Sequence, residues 1–297
     1  MIDRINKLKK DKNAVILVHN YQLPEVQDVA DYVGDSLGLS LEASKTTADT
    51  IVFCGVHFMA ETAAIICPDK TVIMPDDNAG CPMADMITPE DVRRLKKENP
   101  GHIVVAYINT SAAVKAESDY CCTSANAVKV VEKLKDKEII FIPDKYLGDY
   151  VSKQTGKKMV LFNGFCPTHI RIMPDHIKHA RQQHPDAVVL VHPECLPEVV
   201  AMADKVASTS GMIAFAKSSS AKEFIIATEL GIIHRLEKEN QGKRFFPATK
   251  FAICPNMKRT TLERVLWSLE EEKNKIIVPA ETAKGAKRAI DRMLEIS

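Results

Sequence analysis

The 297-residue chain contains neither G-x-G-x-x-G nor G-x-x-x-x-G-K-[ST], which argues against a Rossmann dinucleotide site and a P-loop nucleotide site. Charge of one sign is not in excess. Forty Lys and Arg stand against 39 Asp and Glu, which argues against a broad nucleic-acid face and leaves a locally basic pocket open. No apolar run approaches the roughly 18–20 residues needed to cross a bilayer. The segment Met1 to Lys10 is charged and amphipathic, without the apolar core and cleavage site of a secretory signal. The expectation is a cytoplasmic protein with neither nucleic acid nor membrane as partner. There is no low-complexity linker, and 45% hydrophobic residues suffice for cores in two or three domains. Eight cysteines in a chain of this length do not make a secreted disulfide scaffold. Cys54 and Cys67 read as core and the vicinal Cys121-Cys122 as packing, while Cys195 lies near any chemistry only by following Glu194.

What is present is a Cys-Pro step that occurs three times, at Cys81-Pro82, Cys166-Pro167 and Cys254-Pro255. The cysteines are spaced by 85 (166 − 81) and 88 (254 − 166) residues. Self-similarity at a fixed period is the signature of repeated units. Three apolar runs lead into Val18-His19-Asn20-Tyr21, Ala106-Tyr107-Ile108-Asn109 and Val191-His192-Pro193-Glu194. Aligned on His19, Tyr107 and His192, each run is followed 17 residues later by a hydroxyl, at Ser36, Ser124 and Thr209. The Cys-Pro cysteines follow the same anchors by 62, 59 and 62 residues. Three markers in register indicate a triplicated unit: residues 1–86, 87–170 and 171–270, with 271–297 placed against the first.

Apolar strands alternating with helices predict parallel sheets covered on both faces. In the first unit the pattern predicts strand Ala14–Val18, a helix over Leu23–Val33, Ser36 as the N-cap of a helix over Leu37–Ser44, and strand Thr50–Gly55. A helix over His57–Ile66 and strand Thr71–Met74 follow. In the second, Ser124 is expected to cap Ala125–Leu134, and in the third Thr209 to open Gly211–Lys217. A helix over Thr261–Glu272, a strand over Lys275–Val278 and a helix over Glu281–Leu294 read as an incomplete fourth copy. The fold class expected is α/β: three similar α/β/α domains with small parallel sheets around a pseudo-threefold axis, the cysteines at the centre.

Ligands of open α/β sheets bind beyond the carboxyl ends of the strands, where the markers lie. Helix starts bearing hydroxyls offer N–H groups to carboxylates or a phosphate. Tyr21, Asn109 and Glu194 hold equivalent positions two residues past the anchors, offering a phenol, an amide and a carboxylate for positioning and proton transfer. Three convergent thiolates without a fourth protein ligand fit either zinc with an open position or a [4Fe–4S] cluster with one open iron.

These stretches, with Gly34-Asp35-Ser36, Thr123-Ser124-Ala125-Asn126-Ala127, His192-Pro193-Glu194-Cys195 and Thr228-Glu229-Leu230-Gly231, resemble quinolinate synthase, the iron–sulfur transferase of NAD biosynthesis. The resemblance covers essentially the whole chain in order. It implies condensation of iminoaspartate with dihydroxyacetone phosphate to quinolinate, phosphate and two waters. It further implies that Cys81, Cys166 and Cys254 ligate a [4Fe–4S] cluster whose open iron is a Lewis acid. By the same resemblance His19, Ser36, Tyr107, Asn109, Ser124, His192, Glu194 and Thr209 would line the substrate site, with Tyr21, Glu194 and His192 catalytic. The enzyme that supplies iminoaspartate would be a transient partner. Two other readings stand beside it: a [4Fe–4S] hydro-lyase acting on another polycarboxylate, and a zinc-stapled anion-binding protein. Some relatives carry further cysteines just before the third ligand, but Phe251-Ala252-Ile253 here offers no local disulfide switch.

Overall fold

A computed structural model of the chain describes residues 1–296. Its strands form three separate four-stranded sheets in which every pairing is parallel. The first contains β1 (Ala14–His19), β2 (Tyr32–Gly34), β3 (Thr50–Cys54) and β4 (Thr71–Ile73), in the order β2-β1-β3-β4. The second contains β5 (Ile103–Tyr107), β6 (Tyr120–Cys122), β7 (Ile139–Ile142) and β8 (Val160–Leu161), in the order β6-β5-β7-β8. The third contains β9 (Val188–Val191), β10 (Lys205–Val206), β11 (Glu223–Ala227) and β12 (Arg244–Pro247), in the order β10-β9-β11-β12. One topology thus occurs three times along the chain, and the fold is α/β with three similar units. Parallel neighbours cannot be joined by a hairpin, so helices carry the crossovers and cover the sheet faces. Apolar runs such as Thr50–Cys54 and Ile139–Ile142 are accordingly buried at every residue.

The expected helix over Leu23–Val33 is a correction. Only Pro24–Asp28 is helical, and Tyr32–Gly34 is an edge strand on β1. Asp31 breaks the helix by clasping β1: its carboxylate accepts the Ile16 N–H at 2.8 Å, and its own N–H donates to the Ile16 carbonyl at 3.0 Å. The same clasp recurs at Asp119 on Val104 (2.9 Å) and Asp204 on Val189 (2.8 Å). Each aspartate stands 12 residues after its anchor (31 − 19, 119 − 107, 204 − 192), a fourth repeat marker. Helices over Lys145–Thr155 and Ile232–Glu239 complete the crossovers where no helix was expected.

The chain end also departs from a fourth copy. Residues 275–278 form no strand: Lys275 makes one antiparallel bridge to Ile73, and the Ile276 N–H donates to the Val72 carbonyl at 2.9 Å. An antiparallel bridge cannot extend a parallel repeat. The helix Leu262–Glu271 does pack on the first unit, against the helix Ile2–Asp11 and β3. The last helix, Ala280–Ile296, instead lies chiefly on the second unit, against β6 and the helix Ala112–Ala116. It buries Ala286, Ala289, Ile290, Met293 and Ile296 there. Gly285 permits that approach, since a Cβ on it would stand 2.9 Å from the Ala116 Cβ. No helix among the described residues is long and apolar enough to cross a membrane.

Candidate active site

The carboxyl ends of the strands from all three units open on one cavity of about 220 Å³. Every candidate site residue named from the sequence lines it: His19, Tyr21, Ser36 and Cys81 from the first unit; Tyr107, Asn109, Ser124 and Cys166 from the second; His192, Glu194, Thr209 and Cys254 from the third.

Ser36 and Ser124 are not helix caps, which corrects the expectation, whereas Thr209 does open its helix, as the first helical residue. Capping falls one residue earlier in the first and third units, where Asp35 accepts the Gly38 N–H at 2.8 Å and Ser208 the Gly211 N–H at 3.2 Å. In the second unit Thr123 accepts the Ala125 N–H at 3.2 Å, and the helix starts only at Ala127. Relieved of capping, the three hydroxyls are available to the cavity. Ser124 lies 3.2 Å from His192 Nε2, and Thr209 accepts a hydrogen bond from Asn20 at 2.8 Å. The buried Oδ1 of Asn109 has no protein partner. A buried acceptor left open beside a cavity is a place for a ligand donor.

His19 and His192 are built alike. The Nδ1 of each accepts the backbone N–H two residues on, from Tyr21 at 3.2 Å and from Glu194 at 3.4 Å. Burial, with Lys258 adding to it at His19, lowers both to about 3. At neutral pH both rings are therefore neutral, with the proton on Nε2.

A buried hydrogen-bonded line runs between the units. The Tyr21 hydroxyl meets Thr228 Oγ1 at 2.6 Å, and Thr228 Oγ1 meets His169 Nε2 at 2.7 Å. His169 Nδ1 lies 2.6 Å from Glu194 Oε2 and 3.2 Å from Cys166 Sγ. With Nδ1–H donated to the carboxylate, Nε2 can exchange a proton with Thr228 Oγ1, accepting from the hydroxyl when the ring is neutral and donating to it when the ring is charged, and Thr228 passes the exchange on to Tyr21. Hydroxyl, imidazole and carboxylate thus stand in the order of a proton relay. Tyr107 adds its phenol to Glu194. Burial acts to raise Glu194, but His169, by charge and hydrogen bond, then His192 and the Tyr107 phenol outweigh it and hold the carboxyl at about 2. Burial, reinforced by Glu194, pushes both phenols well above their usual value.

Burial likewise pushes the Cys81 thiol up to about 12 and raises Cys166 and Cys254. Thiols so placed hold their protons until a cation displaces them. Among the described residues, the potential ligands whose donor atoms all lie within 4.8 Å of one another are Cys166, His169 and Glu194. The three cysteines do not form so tight a group. His169, Thr228 and Glu229 escaped the sequence reading. The Cys166-x-x-His169 spacing was a signal for the first, and Thr228-Glu229 was noted above without a role.

The quinolinate synthetase A protein family matches residues 3–295. The quinolinate synthase of Methanosarcina barkeri is 54% identical over 296 residues, covering 100% of this chain and 97% of its own. That of Geobacter sp. strain M21 is 55% identical over 292 residues, 98% and 96% of the two chains. That of Methanoregula boonei is 54% identical over 294 residues, 99% and 97%.

Proposed function

The chain belongs to the quinolinate synthetase A family and is an enzyme of NAD biosynthesis, and on that premise we propose that it condenses iminoaspartate with dihydroxyacetone phosphate to quinolinate, phosphate and two waters. The observation that carries this reading is the relay from Tyr21 through Thr228 and His169 to Glu194, set in a cavity that also receives three cysteines. A condensation that expels two waters and a phosphate must move protons at defined atoms, and a buried line of donors and acceptors suits that need.

The donor set fits an iron–sulfur cluster. Cys81, Cys166 and Cys254 are soft ligands brought by three separate loops to one cavity. When bound, a [4Fe–4S] group supplies an open iron as Lewis acid. The remaining work falls to the chain. Ser36, Ser124, Thr209 and Asn109 hold the carboxylates and phosphate of the substrates. His19 and His192 donate from neutral Nε2–H groups. Tyr21, protonated at neutral pH, gives up its proton or takes one back through Thr228 and His169. Glu194, kept ionised, steadies the imidazolium that results, and Tyr107 orients Glu194. Burial of these groups keeps bulk water from competing with them.

Protein purified without oxygen is expected to be brown, with about four irons and four sulfides per chain, and to form quinolinate from the two substrates. A colourless protein with bound zinc, or an iron-loaded one that dehydrates another polycarboxylate and makes no quinolinate, would sink the reading.

A further inference from the structure

Glu229 is fully buried, two residues beyond β11, on the wall of the cavity. One carboxylate oxygen accepts the Cys254 N–H at 3.1 Å, and the other accepts the Gly231 N–H at 2.7 Å. Lys258 Nζ lies 2.9 Å from the first oxygen and 3.1 Å from the second. The same ammonium donates to the backbone carbonyl of Tyr21, which belongs to the first unit. Packing there is tight: a Cβ on Gly231 would stand 2.6 Å from the Tyr21 carbonyl and 2.8 Å from Lys258 Nζ.

The equivalent positions show that the repeat does not require the lysine or its link to another unit. Two residues past β3 stands Val56, which offers no acceptor. Two residues past β7 stands Asp144, which caps its own helix through the Tyr146 and Leu147 N–H groups at 2.8 and 2.9 Å and also bonds to the Cys166 backbone, the counterpart of the Cys254 contact. In the third unit alone the acid is joined to a lysine, and the pair reaches both the Cys254 backbone and another unit.

We propose that the Glu229–Lys258 ion pair is a positioning clamp that fixes Cys254 and Tyr21 relative to each other across the boundary of the third and first units. The proposal rests on the reading of Cys254 as a cluster ligand and of Tyr21 as the proton-transfer group. A buried carboxylate bonded to an N–H of the ligand-bearing loop restrains the thiolate before the cluster arrives. The ammonium then ties the proton-transferring residue to the same point. Neither side chain needs to touch the reacting atoms.

The test compares the full-length wild type with Glu229→Gln and Lys258→Met, all handled without oxygen. In cluster-free protein, alkylation by iodoacetamide is followed at each cysteine by peptide mass spectrometry. Both variants should speed alkylation of Cys254 about tenfold and leave Cys81 at its wild-type rate. In loaded protein, iron retention against a chelator should fall about 10–100-fold, the usual effect of removing a residue that orients a ligand. Turnover should drop through kcat with KM little changed. Wild-type rates of Cys254 alkylation and iron retention in both variants would overturn the clamp. Should Glu229→Gln fail to fold, Lys258→Met leaves the two N–H bonds of Glu229 in place and decides alone. If the wild type makes no quinolinate while Cys254 still loosens in the variants, the clamp stands and only the assigned reaction falls.

Discussion

Replacing Cys166 by serine is expected to eliminate the cluster and reduce quinolinate formation to background while the helix content stays at its wild-type level. Serine preserves the shape of the side chain but exchanges a soft thiolate for a hydroxyl that ionises poorly and binds iron weakly. The loss falls on a loop, outside the sheets. Cys166 follows β8, and the second sheet keeps its buried β5 and β7 whatever happens there. Because each unit has its own sheet, removing the ligand should not unfold the chain. Iron and sulfide analysis with far-ultraviolet circular dichroism reads both halves of the expectation. Global unfolding of the variant would mean a structural metal. A full cluster complement with normal turnover would remove Cys166 from the ligand set.

Removing a single oxygen with Tyr21→Phe should lower the rate of quinolinate formation by about 10²-fold or more, the scale of general acid–base catalysis. The ring remains packed edge-on to His19, with centroids 4.7 Å apart, so the fold and the cluster content should not change. What disappears is the head of the relay, the 2.6 Å contact to Thr228 Oγ1. Thr228 keeps its bond to His169, and His169 its bond to Glu194, so the defect should appear in kcat with little change in KM. Single-turnover measurement on the loaded variant tests this. Near-normal turnover would reduce Tyr21 to a packing residue and leave proton transfer to Glu194.

How much of this was legible in the sequence depends on whether a feature repeats. His19, Tyr107 and His192 announce themselves because polar residues recur at one spacing at the ends of apolar runs, and all three line the cavity. The Cys-Pro loops were legible for the same reason. The caps of the first and third units were misplaced by one residue because Asp35-Ser36 and Ser208-Thr209 each put two capping side chains in a row. Backbone geometry alone decides which of two such neighbours accepts the helix N–H. The strand Tyr32–Gly34 was lost inside a supposed helix because its three residues gain their structure from pairing with β1, a tertiary effect. His169 was invisible to comparison of the copies, since the residues three past Cys81 and Cys254 are Ala84 and Met257. Glu229 has Val56 and Asp144 as its counterparts, so the repeat does not mark it either, and the stretch Thr228-Glu229 carries no role by spacing alone. Residues specialised in one copy leave no repeat signal, and the relay and the clamp are made largely of such residues.

In the proposed function the three units each contribute one cysteine to a single iron–sulfur cluster in the shared cavity. Anomalous diffraction at the iron edge, from crystals of the anaerobically purified protein, tests it most directly. The expected result is one compact group of irons bounded by Cys81, Cys166 and Cys254, with one iron lacking a protein ligand. A single metal peak held by Cys166, His169 and Glu194, with Cys81 and Cys254 free, would contradict it.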